Sequence, residues 1–280
     1  MGAIIWLASY PKSGNTWMRS FLHNMLTNAR EPIPIDSLSL FCLGEGNARP
    51  YMDYANKPME ELTEEDIVKF RPQVHRDLTK ASPDSVFVKT HNYLGTFHDQ
   101  PIHNMDVTAG AIYILRNPLD VVLSVRHHYS TNINEAIERM GRLGNGTKMG
   151  DGHIPEIHSS WSHHVASWTA EPSPQKLILR YEDLLDDPQK YFKMTCSFLG
   201  LNPPQERLER AIRFSSFKVL KEQEEKEGFS ERPPNATANF FREGRADQWR
   251  EELTPDQVRQ IISDHRVQMQ RFNYIPSDYA

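Results

Sequence analysis

The sequence predicts an α/β fold with a mostly parallel central sheet flanked by helices. Four short segments, 4–8, 85–90, 111–115 and 176–180, are almost continuously apolar, which is typical of strands covered on both faces. Helical patterns follow most of them, and this alternation indicates a parallel sheet. A length of 280 residues fits a single large domain, 1–280.

The first predicted strand leads into a loop that contains a lysine and a glycine. The loop reads Ser9-Tyr10-Pro11-Lys12-Ser13-Gly14-Asn15-Thr16-Trp17, and a helical pattern continues to Leu26. Unpaired N–H groups at a helix N-terminus attract an anion, and a glycine lets the backbone approach it closely. The standard nucleotide loop has its lysine directly after the second glycine, whereas Lys12 precedes Gly14 by two positions. The pattern predicts a phosphate-binding loop of unusual order, with an ordinary strand-to-helix turn as the alternative.

Later helices have recognisable ends. The segment 118–129 starts with a proline and has an aspartate in its first turn. The segment 188–199 follows two aspartates and stops at Gly200. The last helix starts near Pro255, and its apolar face has helical spacing: Val258, Ile262, His265, Met269 and Phe272.

Three regions do not fit the alternation of strands and helices: 30–80, 130–155 and 226–248. The first is rich in proline, and the others are rich in asparagine and glycine. Ligands of parallel sheets bind beyond the carboxyl ends of the strands, where long loops usually shape the site. These regions are therefore expected to form a binding pocket, with a mobile surface as the alternative.

Composition narrows the class of protein. A hydrophobic content of 38% and a charged content of 25% are typical of soluble globular proteins, and the net charge of −5 disfavours binding to nucleic acid or to an anionic membrane. Cys42 and Cys196 have no metal spacing and form no disulfide framework, so both are expected to be reduced and buried. No segment has the length of a transmembrane helix or the pattern of a signal peptide, and a cytoplasmic location is expected.

Polar residues follow three of the predicted strands. The first strand leads to Lys12, the second ends in Lys89-Thr90-His91, and the third leads to Arg116 with Ser124 in the next helix. In a parallel sheet these ends share one edge, so the side chains should converge. Such a cluster of cations suits a ligand with several phosphates or sulfates, and a histidine beside two lysines is a candidate general base.

These segments resemble the motifs of sulfotransferases that use 3'-phosphoadenosine 5'-phosphosulfate (PAPS). Tyr10 to Trp17 is similar to their 5'-phosphosulfate loop, Lys89-Thr90-His91 to their catalytic segment, and Tyr113 to Ser124 to their 3'-phosphate motif. Arg180-Tyr181-Glu182-Asp183-Leu184 with Pro188 resembles the adenine-side segment, and 215–217 and 241–249 resemble the last two motifs. The six matches occur in family order and span residues 4–250. The resemblance implies a cytosolic-type sulfotransferase with a P-loop nucleotide-hydrolase-like fold.

The resemblance also implies a role for each matched residue. His91 would be the general base, with Lys12 and Lys89 stabilising charge during transfer. The 5'-phosphosulfate would be held by Lys12, Ser13, Gly14, Asn15 and Thr16, and the 3'-phosphate by Arg116, Ser124, Arg242 and Gly244. Trp17 and Phe217 would sandwich the adenine, which Tyr181 would contact at its edge. Ser215, Phe241 and Glu243 belong to the same binding segments.

The remaining expectations concern the acceptor and the partners. The loops 30–80, 130–160 and 226–248 would form the pocket for a small or medium organic hydroxyl or amine. PAPS would be the co-substrate, and no metal, nucleic acid or membrane partner is expected. The oligomeric state is left open.

The sequence departs from the family pattern in its last motif. Glu243 occupies the position of a usual lysine, so that a carboxylate lies near the expected 3'-phosphate, and Arg245 is a possible compensation. Asp247 replaces a usual glycine and Gln248 a usual aspartate, while Asn15 stands where threonine is common. These substitutions leave the contacts of 242–248 open.

Two other functions are compatible with part of the pattern. A nucleotide or small-molecule kinase would have a lysine directly after the glycine-rich loop and a carboxylate for magnesium at a strand end, but Arg116 follows the third strand. A non-catalytic nucleotide-binding protein has no need of His91, Lys12 and Lys89.

Other conspicuous residues have simpler interpretations. The pairs His127-His128 and His163-His164 are adjacent on a helix and face different directions, which favours surface or packing roles over metal binding, although His163 or His164 is a candidate for the acceptor pocket. The spacing of Trp161 and Trp168 predicts core positions. The run 222–227 is expected to be a solvated helix face.

Overall fold

The computed structural model describes residues 2–232 and 238–280. Within them, the central sheet contains five parallel strands in the order β2-β3-β1-β6-β7. The strands are β1 (Ala3–Ser9), β2 (Cys42–Gly44), β3 (Ser85–Thr90), β6 (Thr108–Leu115) and β7 (Lys176–Arg180). Between β3 and β6 the chain forms a short antiparallel pair, β4 (Thr96–Phe97) and β5 (Gln100–Pro101). The predicted α/β class and parallel sheet are confirmed.

Thirteen α-helices are found in the same described residues. They are α1 (Asn15–Leu26), α2 (Leu38–Phe41), α3 (Arg49–Ala55), α4 (Glu64–Leu78), α5 (Pro118–His128), α6 (Ile133–Gly141), α7 (Trp161–Thr169), α8 (Tyr181–Asp186), α9 (Pro188–Phe198), α10 (Gln205–Phe214), α11 (Phe217–Glu227), α12 (Trp249–Glu252) and α13 (Pro255–Arg271). None of them is long and apolar enough to cross a membrane.

The helices cover both faces of the sheet, which explains why its strands are continuously apolar. Alternate residues of a strand point to opposite faces, and β1 follows this rule: Trp6 packs in a cluster with residues of α5, α6, α7 and α13. Leu7 packs in the other large cluster, with residues of α1, α8, α9 and α10. Both tryptophans of α7, Trp161 and Trp168, are in the core as predicted.

The predicted ends of the three later helices differ from the observed ends by about one residue, and Cys42 and Cys196 are buried free thiols as predicted. Two expectations were wrong. The region 30–80 is not a long loop, because it contains α2, β2, α3 and α4. The run 222–227 is not uniformly solvated, because Glu224 is buried and its carboxylate accepts the backbone N–H groups of Phe240 and Phe241 at 2.6 and 2.8 Å.

Candidate functional site

The carboxyl ends of three neighbouring strands form one edge of the site. Ala8 of β1 pairs with Thr90 of β3 and with Tyr113 of β6, so the segments that follow these strands leave the sheet side by side. A cavity of about 310 Å³ lies between them, within the size range of small-molecule sites (roughly 300–1,000 Å³). Fifteen of the predicted site residues line it: Lys12, Gly14, Asn15, Thr16, Trp17, Lys89, His91, Arg116, Ser124, Tyr181, Phe217, Phe241, Arg242, Glu243 and Gly244.

The loop between β1 and α1 presents unused hydrogen-bonding groups. Gly14 precedes the first turn of α1 with a φ of 105°, and a Cβ there would lie 2.8 Å from Cδ2 of Tyr181. Ser13 Oγ and Trp17 Nε1 are buried without a hydrogen-bond partner in the described chain. Unpaired buried donors beside a helix N-terminus fit a ligand that is rich in acceptor oxygens, such as a phosphate or a sulfate.

Asn15 contributes to this loop mainly by holding its shape. Its side-chain amide donates to the carbonyl of Leu7 at 2.8 Å, which ties the first residue of α1 back to β1. The Oδ1 atom of Asn15 is buried and unpartnered in the described residues. An asparagine at this position therefore anchors the loop through its nitrogen.

Two lysines, Lys12 and Lys89, line the cavity together with Arg116 and Arg242. Burial, together with the nearby charge of Lys89, lowers the pKa of Lys12 to about 7, and its Nζ lies 3.5 Å from the ring centroid of Phe240. Lys89 Nζ lies 3.4 Å from Oε2 of Glu231. The two oxygens of the same carboxylate also accept hydrogen bonds from the guanidinium of Arg19, at 2.6 and 2.7 Å. Lys89 therefore shares its carboxylate partner with a buried arginine.

The side of the cavity opposite β3 is formed by the start of α5 and the segment 241–249. Asp120 joins these two, because its carboxylate accepts the backbone N–H groups of Asp247 at 2.8 Å and Trp249 at 3.1 Å. This connection brings Arg116 close to the last motif, where its Nη2 donates to the carbonyl of Arg245 at 3.3 Å. The Nε of Arg116 has no partner among the described residues.

The unusual residues of the last motif have structural consequences. Arg245 pairs with Glu243 at 3.4 Å and with Glu251 at 2.8 Å. Its charge is thus offset by carboxylates, and it does not line the cavity. Asp247 adopts a φ of 61°, the left-handed conformation that glycine favours. Gly244 also has positive φ, and a Cβ there would lie 2.2 Å from the ring of Phe217.

His91 has a defined tautomer. Its Nδ1 lies 2.9 Å from the carbonyl oxygen of Ser9, and because a carbonyl only accepts, Nδ1 carries the proton. The neutral ring then has its lone pair on Nε2. Burial and the charge of Lys89 lower the pKa of His91 to about 3, so the ring is neutral at pH 7. A neutral imidazole with a free Nε2 in a cavity can accept a proton.

The end of the cavity next to His91 is polar. Its lining residues are His128, Tyr129, Thr147, Glu156 and His158. Glu156 Oε2 lies 3.4 Å from Nε2 of His158. The segment that carries these two residues is fixed to the end of β3, because the backbone N–H of Ile157 donates to Oδ1 of Asn92 at 2.6 Å and the N–H of Tyr93 donates to the carbonyl of Ile157 at 2.9 Å.

Comparison with known proteins identifies the family. The family model described as "Sulfotransferase domain" matches residues 4–273. The chain belongs to the sulfotransferase family. Similar proteins include 3-beta-hydroxysteroid sulfotransferase of Cavia porcellus, 25% identical over 93% of this chain and 82% of that protein. Flavonol 3-sulfotransferase of Flaveria bidentis is 24% identical, over 92% of this chain and 78% of the length of that protein.

Solved structures show the same fold. Retinol dehydratase in a complex with retinol and PAP has a TM-score of 0.64 and 21% identity, covering 95% of this chain and 81% of that one. A mouse sulfotransferase complexed with PAP has a TM-score of 0.61 and 22% identity, and the match covers 97% of this chain and 85% of that one. The predicted sulfotransferase fold is therefore confirmed. Membership of a sulfotransferase family makes this chain a transferase of sulfuryl groups and rules out the kinase interpretation.

Some sequence-based expectations about the sulfotransferase site differ from the structure. Ser13 is not among the residues that line the cavity, although its Oγ is unpartnered among the described residues of the adjoining loop and its role stays a prediction. Ser215 does not line the cavity either. Ser215 is buried, and its hydroxyl donates to the carbonyls of Ala211 and Ile212 in the preceding turn. The region 30–80 contributes no lining residue. Its helices α3 and α4 pack against each other in a separate apolar cluster. Ile35 of this region nevertheless packs in one apolar cluster with the lining residues Leu220 and Phe241, and Glu45 accepts a hydrogen bond of 2.6 Å from Asn92.

The histidines of the cavity are also not the ones that the sequence suggested for the acceptor pocket. Neither His163 nor His164 lines the cavity. His164 is buried in the core, where it accepts from or donates to the hydroxyl of Tyr113 at 2.9 Å. His128 and His158 line the acceptor end instead. Sequence periodicity had no signal for His158 or Glu156, since both lie in an irregular segment. For Glu224, the charged surroundings suggested a solvated surface.

Proposed function

We propose that this sulfotransferase transfers the sulfuryl group of PAPS to a hydroxyl or amine of a small organic acceptor, with His91 as general base. The observation that carries the proposal is the tautomer of His91: Nδ1–H donates to Ser9 and leaves the basic Nε2 in the same cavity as the loop 12–17. PAP in related structures supports the choice of donor.

The residues of the cavity suit PAPS. The 5'-phosphosulfate would occupy the N-terminus of α1, where Ser13 Oγ lacks a partner among the described residues and the first N–H groups of a helix are free of intrahelical bonds. Arg116 and Arg242 would hold the 3'-phosphate, with Ser124 and Gly244 beside them. Trp17 and Phe217 line the cavity and would enclose the adenine, with Tyr181 and Phe241 at its edges. No group of three or more metal-ligating side chains occurs in the described part of the chain.

The reaction would then proceed by in-line displacement. The acceptor oxygen forms a bond to sulfur while the bond from sulfur to the bridging oxygen of PAPS breaks. His91 Nε2 takes the acceptor proton, and PAP leaves with the electron pair of the broken bond. Lys12, and Lys89 at the sulfuryl oxygens, offset the negative charge that develops, which is the main form of catalysis in such transfers.

Replacement of His91 tests the proposal. A general base contributes about 10²- to 10⁴-fold to turnover, so we expect His91→Ala to lose activity by about that factor in transfer from radiolabelled PAPS. PAP affinity, measured by calorimetry, should stay within about threefold because His91 contacts the acceptor side. In the wild type, protonation of His91 should cause no fall in kcat/KM between about pH 8 and pH 5, since the pKa of His91 is about 3. Unchanged turnover in His91→Ala would remove His91 from the mechanism.

A further inference from the structure

The acceptor end of the cavity contains one carboxylate that the transfer reaction does not use. Glu156 lines the cavity with His91 and His158, and its side chain is 22% exposed. In the described ranges 2–232 and 238–280, His158 is its ion-pair partner, and no lysine or arginine nitrogen comes within 4 Å. Lys89 pairs instead with Glu231 at 3.4 Å.

Glu156 is charged at neutral pH and held in place. Burial raises the pKa of its carboxyl, but the hydrogen bond from His158 and nearby positive charge, including that of Lys89, outweigh burial and keep that pKa below its usual range. Its backbone N–H donates to Oγ1 of Thr147 at 2.9 Å, and its carbonyl accepts the N–H of Thr147 at 2.9 Å. A partly buried carboxylate in such a fixed position is stabilised by a cation.

The position of Glu156 relative to the general base restricts the shape of the ligand. The ring centroids of His91 and His158 are 6.4 Å apart, Oε2 of Glu156 lies 3.4 Å from Nε2 of His158, and all three residues line the same cavity. Burial and the charge of Lys12 lower the pKa of His128 to about 3, so this neighbour is neutral. A single small molecule can therefore reach His91 with one group and Glu156 with another.

We infer that the acceptor is a small hydroxyl compound that carries a protonated amine, and that Glu156 binds its ammonium group while His91 faces its hydroxyl. This inference rests on the proposed function. Acceptors of the kind for which two relatives are named, steroids and flavonols, would fit less well, because an apolar skeleton placed against Glu156 would remove water from a carboxylate without replacing the lost hydrogen bonds.

Matched acceptors test the inference. The probes are 2-amino-1-phenylethanol against 1-phenylethanol, and 4-(aminomethyl)phenol against 4-methylphenol, since each pair differs only in the amine. A charge-assisted hydrogen bond gives about 10- to 100-fold in affinity. The hydroxyl and the amine are on adjacent carbons in the first probe and across a ring in the second, so we expect kcat/KM with PAPS to favour the amine by about that factor in the pair whose spacing matches that from His91 to Glu156. Equal kcat/KM values within the pairs would overturn the inference for the wild-type enzyme and leave the proposed function standing.

Variants assign the preference to Glu156. Glu156→Gln should remove most of it, about tenfold or more, while Glu156→Asp retains the charge and should retain part of the preference. Asp151→Asn is the matched control, because Asp151 is an exposed carboxylate on the same segment and outside the cavity. PAP binding reports folding and the donor site in every variant. If Glu156→Gln binds PAP and keeps the full preference for the amine, the inference is contradicted. If the wild type does not bind PAP, the proposed function itself is refuted.

Discussion

At the scale of the residue, Lys12 makes donor binding sensitive to pH. Burial and the charge of Lys89 lower the pKa of Lys12 to about 7 in the free protein, so this amine is mostly neutral above that pH. A bound polyanion favours the charged form and raises the pKa again. PAP binding should therefore take up as much as one proton per molecule above about pH 7, and PAP affinity should fall by at most about tenfold per pH unit.

Calorimetry can measure this proton uptake on PAP binding. At about pH 8.5, where the phosphates of PAP are already ionised, the binding enthalpy in two buffers of different ionisation enthalpy gives the uptake directly. Lys12→Arg is the control, because a guanidinium stays charged over this range and should abolish the uptake. Equal uptake in the wild type and in Lys12→Arg would assign the proton to another group.

At the scale of the element, α11 supports the aromatic wall of the donor site through one buried side chain. Glu224 accepts the backbone N–H groups of Phe240 and Phe241, and Phe240 covers Nζ of Lys12. Removing the acceptor leaves buried donors unpaired, which costs about 1–3 kcal/mol. We expect Glu224→Ala to lower the free energy of unfolding by about that amount in urea titrations, and to weaken PAP binding by about fivefold or more.

The adjacent residue provides the control for this prediction. Glu225 lies on the same helix and is exposed, so Glu225→Ala makes the same chemical change in a solvated position. Its unfolding free energy should stay within about 0.5 kcal/mol of the wild type. A loss of stability in Glu225→Ala as large as in Glu224→Ala would show that the effect comes from the helix and not from the bonds to Phe240 and Phe241.

The elements that sequence reasoning recovered share a strong local signal. β1, β3, β6 and β7 are apolar runs, and α5, α9 and α13 begin with proline. The short strand β2 was missed because three residues carry no periodicity. The helix α4 was missed because Pro72 lies inside it, although its capping pair Thr63 and Asp66 was visible in the sequence as a helix start signal.

The donor and acceptor ends of the site differ in how far the sequence predicted them. Residues of the donor end sit in fixed order directly after strands or at helix starts, so the topology of a parallel sheet brings them together. The acceptor end is built from the irregular segment around Glu156, whose position depends on tertiary hydrogen bonds such as the one from Ile157 to Asn92. No local pattern encodes such a contact, and so Glu156 and His158 emerged only from the structure.

At the scale of the whole molecule, one cavity collects residues from distant parts of the chain. Lys12, Arg116, Tyr181 and Gly244 all line it, and Asp120 links α5 to the segment 241–249. A ligand that contacts all of these segments binds only the folded chain. It should therefore stabilise the protein as a unit, in proportion to the logarithm of its concentration over Kd.

PAP should consequently raise the melting temperature more than ATP with magnesium. At about 100 times its Kd a ligand adds about 2.7 kcal/mol, which corresponds to a shift of roughly 5–10 °C for a chain of this size. ATP has no 3'-phosphate for Arg116 and Arg242, and its magnesium has no carboxylate cluster to bind in the described chain. At equal concentration its shift should be at most half as large. A larger shift with ATP and magnesium than with PAP, in the same thermal scan, would contradict the assignment of Arg116 and Arg242 to a 3'-phosphate, because those two charges are the reason for the difference.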